Sequence, residues 1–363
     1  MSIITPISGP HTRAQRSVSS VMHHVILALL PATAFGVYLF GWPALFTLLL
    51  CIVSAWGFEL LSLWMAGKPV RPYATDGSAM LTGLLLALTL PPWAPWWLCV
   101  LGSFIAIVIG KHIFGGLGQN VFNPAMLARV ALLVSFPLEM TTWANPAPFG
   151  SELSPSFMAA LAITFGGAAI DGVTSASVLG HVKTEATLGN TIAQALPDGF
   201  ATSDYLLGFS NGSLGETSAL LILIGGIYLI AMRIITWHIP VAMIGSMVII
   251  SLLFHAIDPN HYPGAIYHLL SGGLLLGAFF IATDLVTSPS SVLGKLIFGA
   301  GCGLLTYIIR TWGGFPEGVA FAVILMNSMT PLIDHYCRPR IYGRDRKGEP
   351  LAIEAAKNRE GEP

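Results

Sequence analysis

Ten apolar stretches, most of them long enough to cross a bilayer, restrict the possible folds of this chain more than any other feature. The hydrocarbon core of a bilayer is about 30 Å thick, which a helix of about 20 apolar residues spans. Backbone inside lipid must satisfy its own hydrogen bonds, so we predict an all-α polytopic membrane protein with about ten transmembrane helices. The stretches are 21–40, 43–66, 76–91, 94–111, 122–138, 217–234, 238–257, 266–284, 294–312 and 317–334.

The composition leaves few alternatives to a membrane protein. Only 10% of the 363 residues are charged and 54% are hydrophobic, whereas a soluble domain carries about 25% charged residues. The net charge of -1 provides no basic surface for nucleic acid. The four cysteines are scattered without a CxxC pair, so the sequence predicts no metal site and no iron–sulfur cluster.

The distribution of Lys and Arg predicts the orientation. With the amino terminus inside, fourteen of the seventeen Lys and Arg residues fall in cytoplasmic segments, as the positive-inside rule requires. Both termini are therefore predicted to be cytoplasmic, and the polar stretch 139–216 to face outward, into the periplasm if the cell is Gram-negative. The predicted regions are a cytoplasmic segment 1–20, helices in 21–138, the outward stretch 139–216, helices in 217–334 and a basic cytoplasmic tail 335–363.

The two groups of five apolar stretches are faintly alike. MLTGLLLALTLPP (80–92) and LLLGAFFIATDLVTSP (274–289) each place a Gly, an apolar run and a Thr before a proline break. GGLG (115–118) and GGFPEG (313–318) are also similar. An odd number of spans makes the second half run opposite to the first, so we predict two inverted five-helix repeats with broken helices.

The most unusual segment is DGVTSAS (171–177), in the outward stretch. On local sequence alone it is typical of a turn, because Asp, Gly, Ser and Thr form turns through side-chain to backbone hydrogen bonds. A short apolar run, 157–170, precedes it and is too short to span a bilayer. We therefore expect that run to lie at the membrane interface or to re-enter the membrane.

The chain resembles the NqrB/RnfD family. It is similar to RnfD, a membrane component of Rnf ion-translocating oxidoreductase complexes, and more distantly to NqrB of the sodium-pumping NADH:quinone reductase. The likeness runs nearly from end to end. It is carried by LTGLLLALTLPPWAPWW (81–97), GGLGQNVFNPAM (115–126), DGVTSAS (171–177), WHIP (237–240), LLSGGLLLGAFFIATDLVTSP (269–289), GGFPEGVAFAVIL (313–325) and PLIDHYCRPRIYG (331–343).

The resemblance implies that a flavin transferase attaches FMN through its phosphate to a hydroxyl of the 171–177 segment. The family's acceptor is the Thr that ends the segment, and here that position is Ser177. Serine offers the same hydroxyl without the methyl that restricts χ1. The other residues that we expect to contribute are Asp171, to orient the donor phosphate, Gly172 and Ala176, to leave room, and Thr174 and Ser175, as alternative acceptors.

Two further groups of residues are open to two interpretations. Gly115, Gly116 and Asn120 are typical of a helix break where backbones pack closely, but the resemblance implies a nearby second, non-covalent flavin or riboflavin. Asp284 fits a carboxylate wetted at a helix end, but an ionisable residue beside an apolar stretch is also a candidate for an ion path. The sequence predicts no catalytic residue.

The resemblance implies an electron-transferring component of a complex that couples NADH–ferredoxin exchange to Na⁺ or H⁺ movement across the bacterial inner membrane. The chain has no dinucleotide fingerprint and no iron–sulfur ligands, so it is not catalytically complete alone. The implied partners are an outward-facing flavoprotein, iron–sulfur subunits, the flavin transferase and lipid. Two alternatives remain: an NqrB-like component of a sodium-pumping quinone reductase, and a flavin-free channel or transporter built from inverted repeats.

Overall fold

The protein is described from a computed structural model, which covers residues 17–167, 177–196, 202–209 and 211–338. These residues form helices and connecting loops without a β-strand. The α-helices are α1 (Val18–Met65), α2 (Val70–Ala74), α3 (Ser78–Thr89), α4 (Trp96–Phe104), α5 (Pro124–Ser135), α6 (Pro137–Thr141), α7 (Phe157–Gly166), α8 (Val178–Thr187), α9 (Ile192–Ala195), α10 (Thr202–Leu207), α11 (Ala219–Ala231), α12 (His238–Ile257), α13 (Ala265–Leu270), α14 (Leu274–Leu276), α15 (Val292–Trp312) and α16 (Val319–Tyr336). Two π-helical segments, Ile105–His112 and Gly277–Ile281, extend α4 and α14.

Helix α1 consists of two arms that meet at Gly41, whose φ of 72° and ψ of -153° lie outside the helical region. A positive φ favours glycine, because it has no Cβ. Met22, in the first arm, lies 3.4 Å from the Cβ position of Gly77, and Glu59, in the second, shares Lys111 with Ser78. The two arms therefore return to one end of the bundle and run antiparallel, as the separate stretches 21–40 and 43–66 predict.

These contacts define two ends of the bundle. The inner end contains residues 22–23 and 76–78, and the outer end contains residues 40–47 and 91–93, where Trp93 Nε1 donates to Phe40 O at 3.1 Å. Residues 147–149 and 214–215 also lie at the outer end. The N–H groups of residues 147, 149 and 215 donate to the carbonyl oxygens of Leu39, Tyr38 and Leu88, respectively. The predicted outward stretch is thus opposite the amino-terminal end of α1.

The helices are those of a polytopic membrane protein. Three of them, α1, α12 and α15, are long and apolar enough to cross a bilayer, and each of the other predicted stretches contains a shorter helix. Helix α3 has 12 residues, about 18 Å at 1.5 Å per residue, and it ends before Pro91. The stretch 266–284 is interrupted between α13 and α14, where Gly272 has a φ of 68°. The broken helices are as predicted.

Corresponding contacts in the two halves favour the predicted duplication, which stays a prediction. A Cβ on Gly83 of α3 would lie 2.7 Å from Cys51 O in the helix before it, and a Cβ on Gly277 would collide with Val319 and approach Met243. Lys111 and Arg310 each precede a Gly-Gly pair, and each bonds the start of the broken helix in its own half, through Ser78 Oγ at 2.8 Å and Ser271 O at 3.0 Å. Lys111 lies at the inner end and Arg310 at the outer end.

Helix α7 occupies the apolar run that we expected at the membrane interface. Its 10 residues are too few to cross a bilayer. Phe157 packs edge-to-face against Trp42 and Phe46, with ring centroids 5.2 and 5.7 Å away, and Phe165 packs against Phe46 at 6.3 Å. Aromatic contacts therefore hold α7 against the outer end of the second arm of α1.

Candidate functional site

Ser177 lies at the amino terminus of α8, which it caps. Its backbone is extended, with φ -57° and ψ 153°, and its Oγ accepts a hydrogen bond from Gly180 N at 3.2 Å. Serine is among the best capping residues, because its side chain satisfies a backbone N–H that lacks an intrahelical partner. Only 7% of Ser177 is exposed. The other residues of the predicted segment, Asp171, Gly172, Thr174, Ser175 and Ala176, lie outside the described residues.

The cap position gives Ser177 the chemistry of an anion site. The first N–H groups of a helix carry partial positive charge, so the helix amino terminus favours a phosphate group. As the capping residue of a helix amino terminus, serine serves at least as well as threonine. The loss of the threonine methyl therefore removes a restriction on χ1 but leaves both the hydroxyl and its helix-terminal environment.

Ser177 also lies over the helix break in the second half of the chain. A cavity of about 10 Å³ separates it from the loop between α13 and α14. Tyr267 Oη lies 3.5 Å from Val178 O, which connects α13 to the residue after Ser177. The cavity is lined by Ser177, Tyr205, Asn211, Glu216, Ser271 and Gly272, among others.

A larger cavity, of about 280 Å³, lies between α8 and the outer ends of α13 and α15, and we call it the outer cavity. His268 is 3% exposed there, and both of its ring nitrogens are without a hydrogen-bond partner among the described residues. An imidazole needs such partners whether it is neutral or protonated, so a polar group in this cavity would satisfy His268. Its lining includes Leu179, Val182, Lys183, Tyr267, His268 and Trp312.

Lys183 fixes α8 above the outer cavity. Its Nζ donates to the carbonyl oxygens of Ile309, Arg310 and Phe315, at 3.2, 3.0 and 3.0 Å. An ammonium group is favourable at the carboxyl end of a helix, here α15. Burial lowers the pKa of Lys183 from its ordinary value. Sequence reasoning gave this residue no role, because its partners lie more than 120 residues away.

A third cavity, of about 110 Å³, lies at the inner end of the bundle, and we call it the inner cavity. Asn120 is buried at its edge and donates from Nδ2 to Phe122 O at 3.1 Å. Gly115 and Gly116 do not line it; they have φ of 119° and 106° in the adjoining turn, where Lys68 Nζ donates to Gly115 O at 2.7 Å. The lining includes Ser78, Thr82, Lys111, Asn120, Phe279 and Phe280.

Asp284 lies in a turn at the edge of the inner cavity, and its predicted roles stay predictions. Its carboxylate accepts from Val286 N at 3.3 Å and from Thr287 Oγ1 at 3.2 Å, so it closes the turn after the second π-helical segment. It also lines the inner cavity. The residue is therefore a turn-forming carboxylate that faces the same space as Asn120.

A buried charged group next to the inner cavity was not predicted from the sequence. Glu59 is 2% exposed and pairs with Lys111 Nζ at 2.8 Å and His112 Nε2 at 3.0 Å. Lys111 also donates to Ser78 Oγ at 2.8 Å, and Ser78 Oγ donates to Asp76 Oδ1 at 2.6 Å. Glu59 and Lys111 were visible as ionisable residues near apolar stretches, but their separation of 52 residues hid the pairing.

Comparison with known proteins identifies relatives over almost the whole chain. The model of the NQR2, RnfD, RnfE family matches residues 5–343. A protein of Stutzerimonas stutzeri, named as a subunit of an ion-translocating oxidoreductase complex, is 59% identical over 336 residues, which cover 92% of this chain and 95% of that protein. A protein of Halorhodospira halophila with the same name is 51% identical over 349 residues, 96% of this chain and 98% of its own length. The chain therefore belongs to the NQR2, RnfD, RnfE family.

Proposed function

We propose that this chain is the flavin-carrying membrane subunit of an Rnf-type complex, which transfers electrons between NADH and ferredoxin and couples the transfer to Na⁺ or H⁺ translocation. The relatives named as subunits of an ion-translocating oxidoreductase complex support the complex. The observation that carries the flavin part is Ser177, a hydroxyl at the amino terminus of α8, whose residues Leu179 and Val182 line a cavity with an unsatisfied buried imidazole.

Ser177 would hold the outer FMN through a phosphate ester. The N–H groups in the first turn of α8 would then face the ester's remaining charge, which a helix amino terminus stabilises. The outer cavity next to α8 would receive the ring, with His268 donating to or accepting from its polar edge and the apolar side chains of α8 excluding water. When bound, flavin supplies the electron-transfer chemistry, and the protein contributes position and environment.

The inner cavity is our candidate for the second, non-covalent flavin or riboflavin. It combines an apolar and aromatic lining with a few polar side chains, the usual make-up of a cofactor pocket. Asn120 and Lys111 would bond the polar edge of the ring, while Phe279 and Phe280 would contact its faces. Gly115 and Gly116 would act indirectly, by forming the turn that carries Asn120. Asp284 would lie beside this site, where an ion could be exchanged.

The partners follow from what the chain lacks. Its sequence has neither a dinucleotide fingerprint nor iron–sulfur ligands, so other subunits would supply both, and a flavoprotein would exchange electrons with the outer FMN. A flavin transferase would attach that FMN. The bacterial inner membrane, with both termini cytoplasmic, is the location that fits these roles and the charge distribution.

Flavin fluorescence of the full chain on a denaturing gel tests the proposal. Co-expression with a flavin transferase should give a fluorescent band in the wild type and in Ser177→Thr. Ser177→Asp should give none, although aspartate caps a helix as well as serine does, so α8 remains capped. A band that survives Ser177→Asp would move the attachment to Thr174 or Ser175. No band in either the wild type or Ser177→Thr would support a flavin-free channel or transporter.

A further inference from the structure

Arg129 is a buried cation without a direct partner for its Nη1. It lies in α5, is 5% exposed, and that nitrogen has no hydrogen-bond partner among the described residues. Among those residues no salt bridge joins it to a carboxylate; Glu317 at this end of the bundle pairs with Arg310 instead. A buried guanidinium nitrogen without a hydrogen-bond partner is costly inside a membrane protein and points to a function.

The space next to Arg129 has room for one water. A cavity of about 20 Å³ lies at the contact between the two halves of the chain, and a water needs about 10–15 Å³ and at least two polar partners. A water there could accept from Arg129 and donate to a carboxylate. The residues that provide polar atoms around the cavity are Thr89, Arg129, Ser213, Glu216 and Glu317.

Glu317 is held firmly on the far side of this cavity. Its Oε1 lies 3.2 Å from Arg310 Nη2 and accepts from Val319 N at 3.3 Å, and its Oε2 accepts from Gly273 N at 3.1 Å. Arg310 in turn donates to His268 O at 2.7 Å and Ser271 O at 3.0 Å. The broken helix therefore positions one carboxylate, and Glu317 has little freedom to move.

Glu216 connects the cavity to the outer end of the bundle. It lines both this cavity and the small cavity beneath Ser177. The loop that carries it is anchored to the first half of the chain, because Gly215 N donates to Leu88 O at 2.6 Å at the end of α3. Glu216 is thus the one carboxylate lining both spaces among the described residues.

We propose that Glu216 and Glu317, with a water held by Arg129 between them, form a proton-exchanging site at the contact between the two halves. A hydronium ion at the outer end gives its proton to Glu216, which leaves water and a neutral carboxyl. The cavity water then relays a proton to Glu317 and takes one from Glu216. Only O–H bonds form and break, and the site does not require a flavin on Ser177.

The contacts of the site favour a proton over a metal cation. Both oxygens of Glu317 already accept hydrogen bonds from backbone N–H groups, and the cavity of about 20 Å³ has room for one water but not for the six or more oxygen ligands of a hard cation. The other titratable groups nearby are Tyr205 of α10 and Tyr267 and His268 of α13. The two phenols and the buried imidazole are uncharged near neutrality, so none of them adds a charge to the site. Burial and the neighbouring Glu317 carboxylate favour the neutral form of Glu216, whereas Arg310 and Arg129 favour the ionised form of Glu317.

Infrared spectroscopy of the purified full chain tests this proposal without any cofactor. On lowering the pH, the wild type should show a carboxylic C=O band that shifts in D₂O and is lost in Glu216→Gln. Glu152→Gln, which removes an exposed carboxylate at the outer end, should leave it unchanged. A band that persists in Glu216→Gln would overturn the proposal, as would its absence from the wild type.

Proton transfer in the assembled complex provides a second measurement. In liposomes that contain a pH dye, Glu216→Gln should lower the initial rate of proton movement per electron by about 100-fold, near the lower end of what a positioned proton-transfer group contributes. Glu216→Asp keeps a carboxylate if the glutamine variant fails to assemble, and it should shift the infrared band. An unshifted band in Glu216→Asp, or proton movement unchanged in Glu216→Gln, would contradict the assignment.

Discussion

Buried polar side chains carry most of the information about this protein at the scale of single residues. Glu59 and Lys111 neutralise each other deep in the inner half of the bundle, whereas Arg129 and His268 bury nitrogens that have no hydrogen-bond partner among the described residues. The first arrangement is paired within the protein, while the second leaves nitrogens that a bound group or a water would satisfy, since an unsatisfied buried polar atom costs about 1–3 kcal/mol. Glu59 is therefore a structural candidate, Lys111 combines this pairing with its proposed flavin contact, and Arg129 and His268 are candidates for binding.

Substitution of one member of the buried pair should destabilise the protein strongly. Lys111→Met leaves the Glu59 carboxylate without its main partner, and breaking a buried pair in this way costs about 3–5 kcal/mol. The double variant Glu59→Gln/Lys111→Met should recover part of that loss. Thermal unfolding in detergent measures both, with Arg71→Met, an exposed cation, as the control. Equal stability of the single variant and the control would show that the pair contributes nothing.

Substitution of His268 should have opposite effects on the two forms of the chain. Without flavin, His268→Leu removes an unsatisfied imidazole, so the free energy of unfolding should rise by about 1 kcal/mol. With FMN attached, the same change removes a polar contact to the ring and should reduce the stabilisation that flavin provides. Thermal unfolding of chains made with and without the transferase measures both effects. An identical change in the two forms would exclude His268 as a flavin contact.

Secondary-structure elements in this chain pack through glycines at their closest contacts. The apolar stretches and proline breaks could be read from the sequence, because hydropathy and proline act locally. The close contacts between helices could not be read from the sequence, because the residues that form them are far apart along the chain. Gly83 meets Cys51, and Lys183 meets the end of α15, only in the folded protein. The role of Ser177 as a helix cap was also missed, because the segment before it was interpreted as a turn and α8 was not predicted.

A methyl group added at the contact between α3 and α1 tests this packing. In Gly83→Ala the new Cβ would lie 2.7 Å from Cys51 O and 2.9 Å from Ile52 Cα, so backbone must move, and such overpacking costs about 1–3 kcal/mol. Gly57→Ala is the matched control, since no atom lies within 4 Å of its Cβ position. Because alanine has a higher helix propensity than glycine, Gly57→Ala should be neutral or slightly stabilising. A Gly83→Ala protein as stable as Gly57→Ala would contradict the described contact.

The whole molecule joins two sets of helices whose broken elements start at opposite ends. Lys111 bonds the start of a broken helix at the inner end and Arg310 bonds one at the outer end, so a buried cation fixes a broken helix in each half. The apolar stretches and their order were predictable from hydropathy and charge, whereas short helices of the outward stretch, such as α8, were not. The four cavities were not predictable either, because each is lined by residues from distant parts of the chain.

Cysteine labelling can test the predicted orientation of the whole chain. Of the native cysteines only Cys337 is partly exposed, so Cys337→Ser gives a suitable background. Leu153→Cys, at an outer-end position that is 79% exposed, should react with an impermeant maleimide in intact cells. Tyr336→Cys, at 78% exposure, should react only after the cells are opened. The reverse pattern would place both termini outside.

The burial of Ser177 has a consequence for how the protein is made. A hydroxyl that is 7% exposed and occupied with capping α8 is a poor substrate for another enzyme, so we expect flavin attachment to precede the docking of α8. The transferase should modify the chain readily during synthesis and slowly once it is purified and folded, a difference that a time course of gel fluorescence measures. Equal rates would mean that α8 opens freely. If the folded chain is modified slowly, as we expect, biogenesis rather than the finished complex sets the fraction of subunits able to carry electrons.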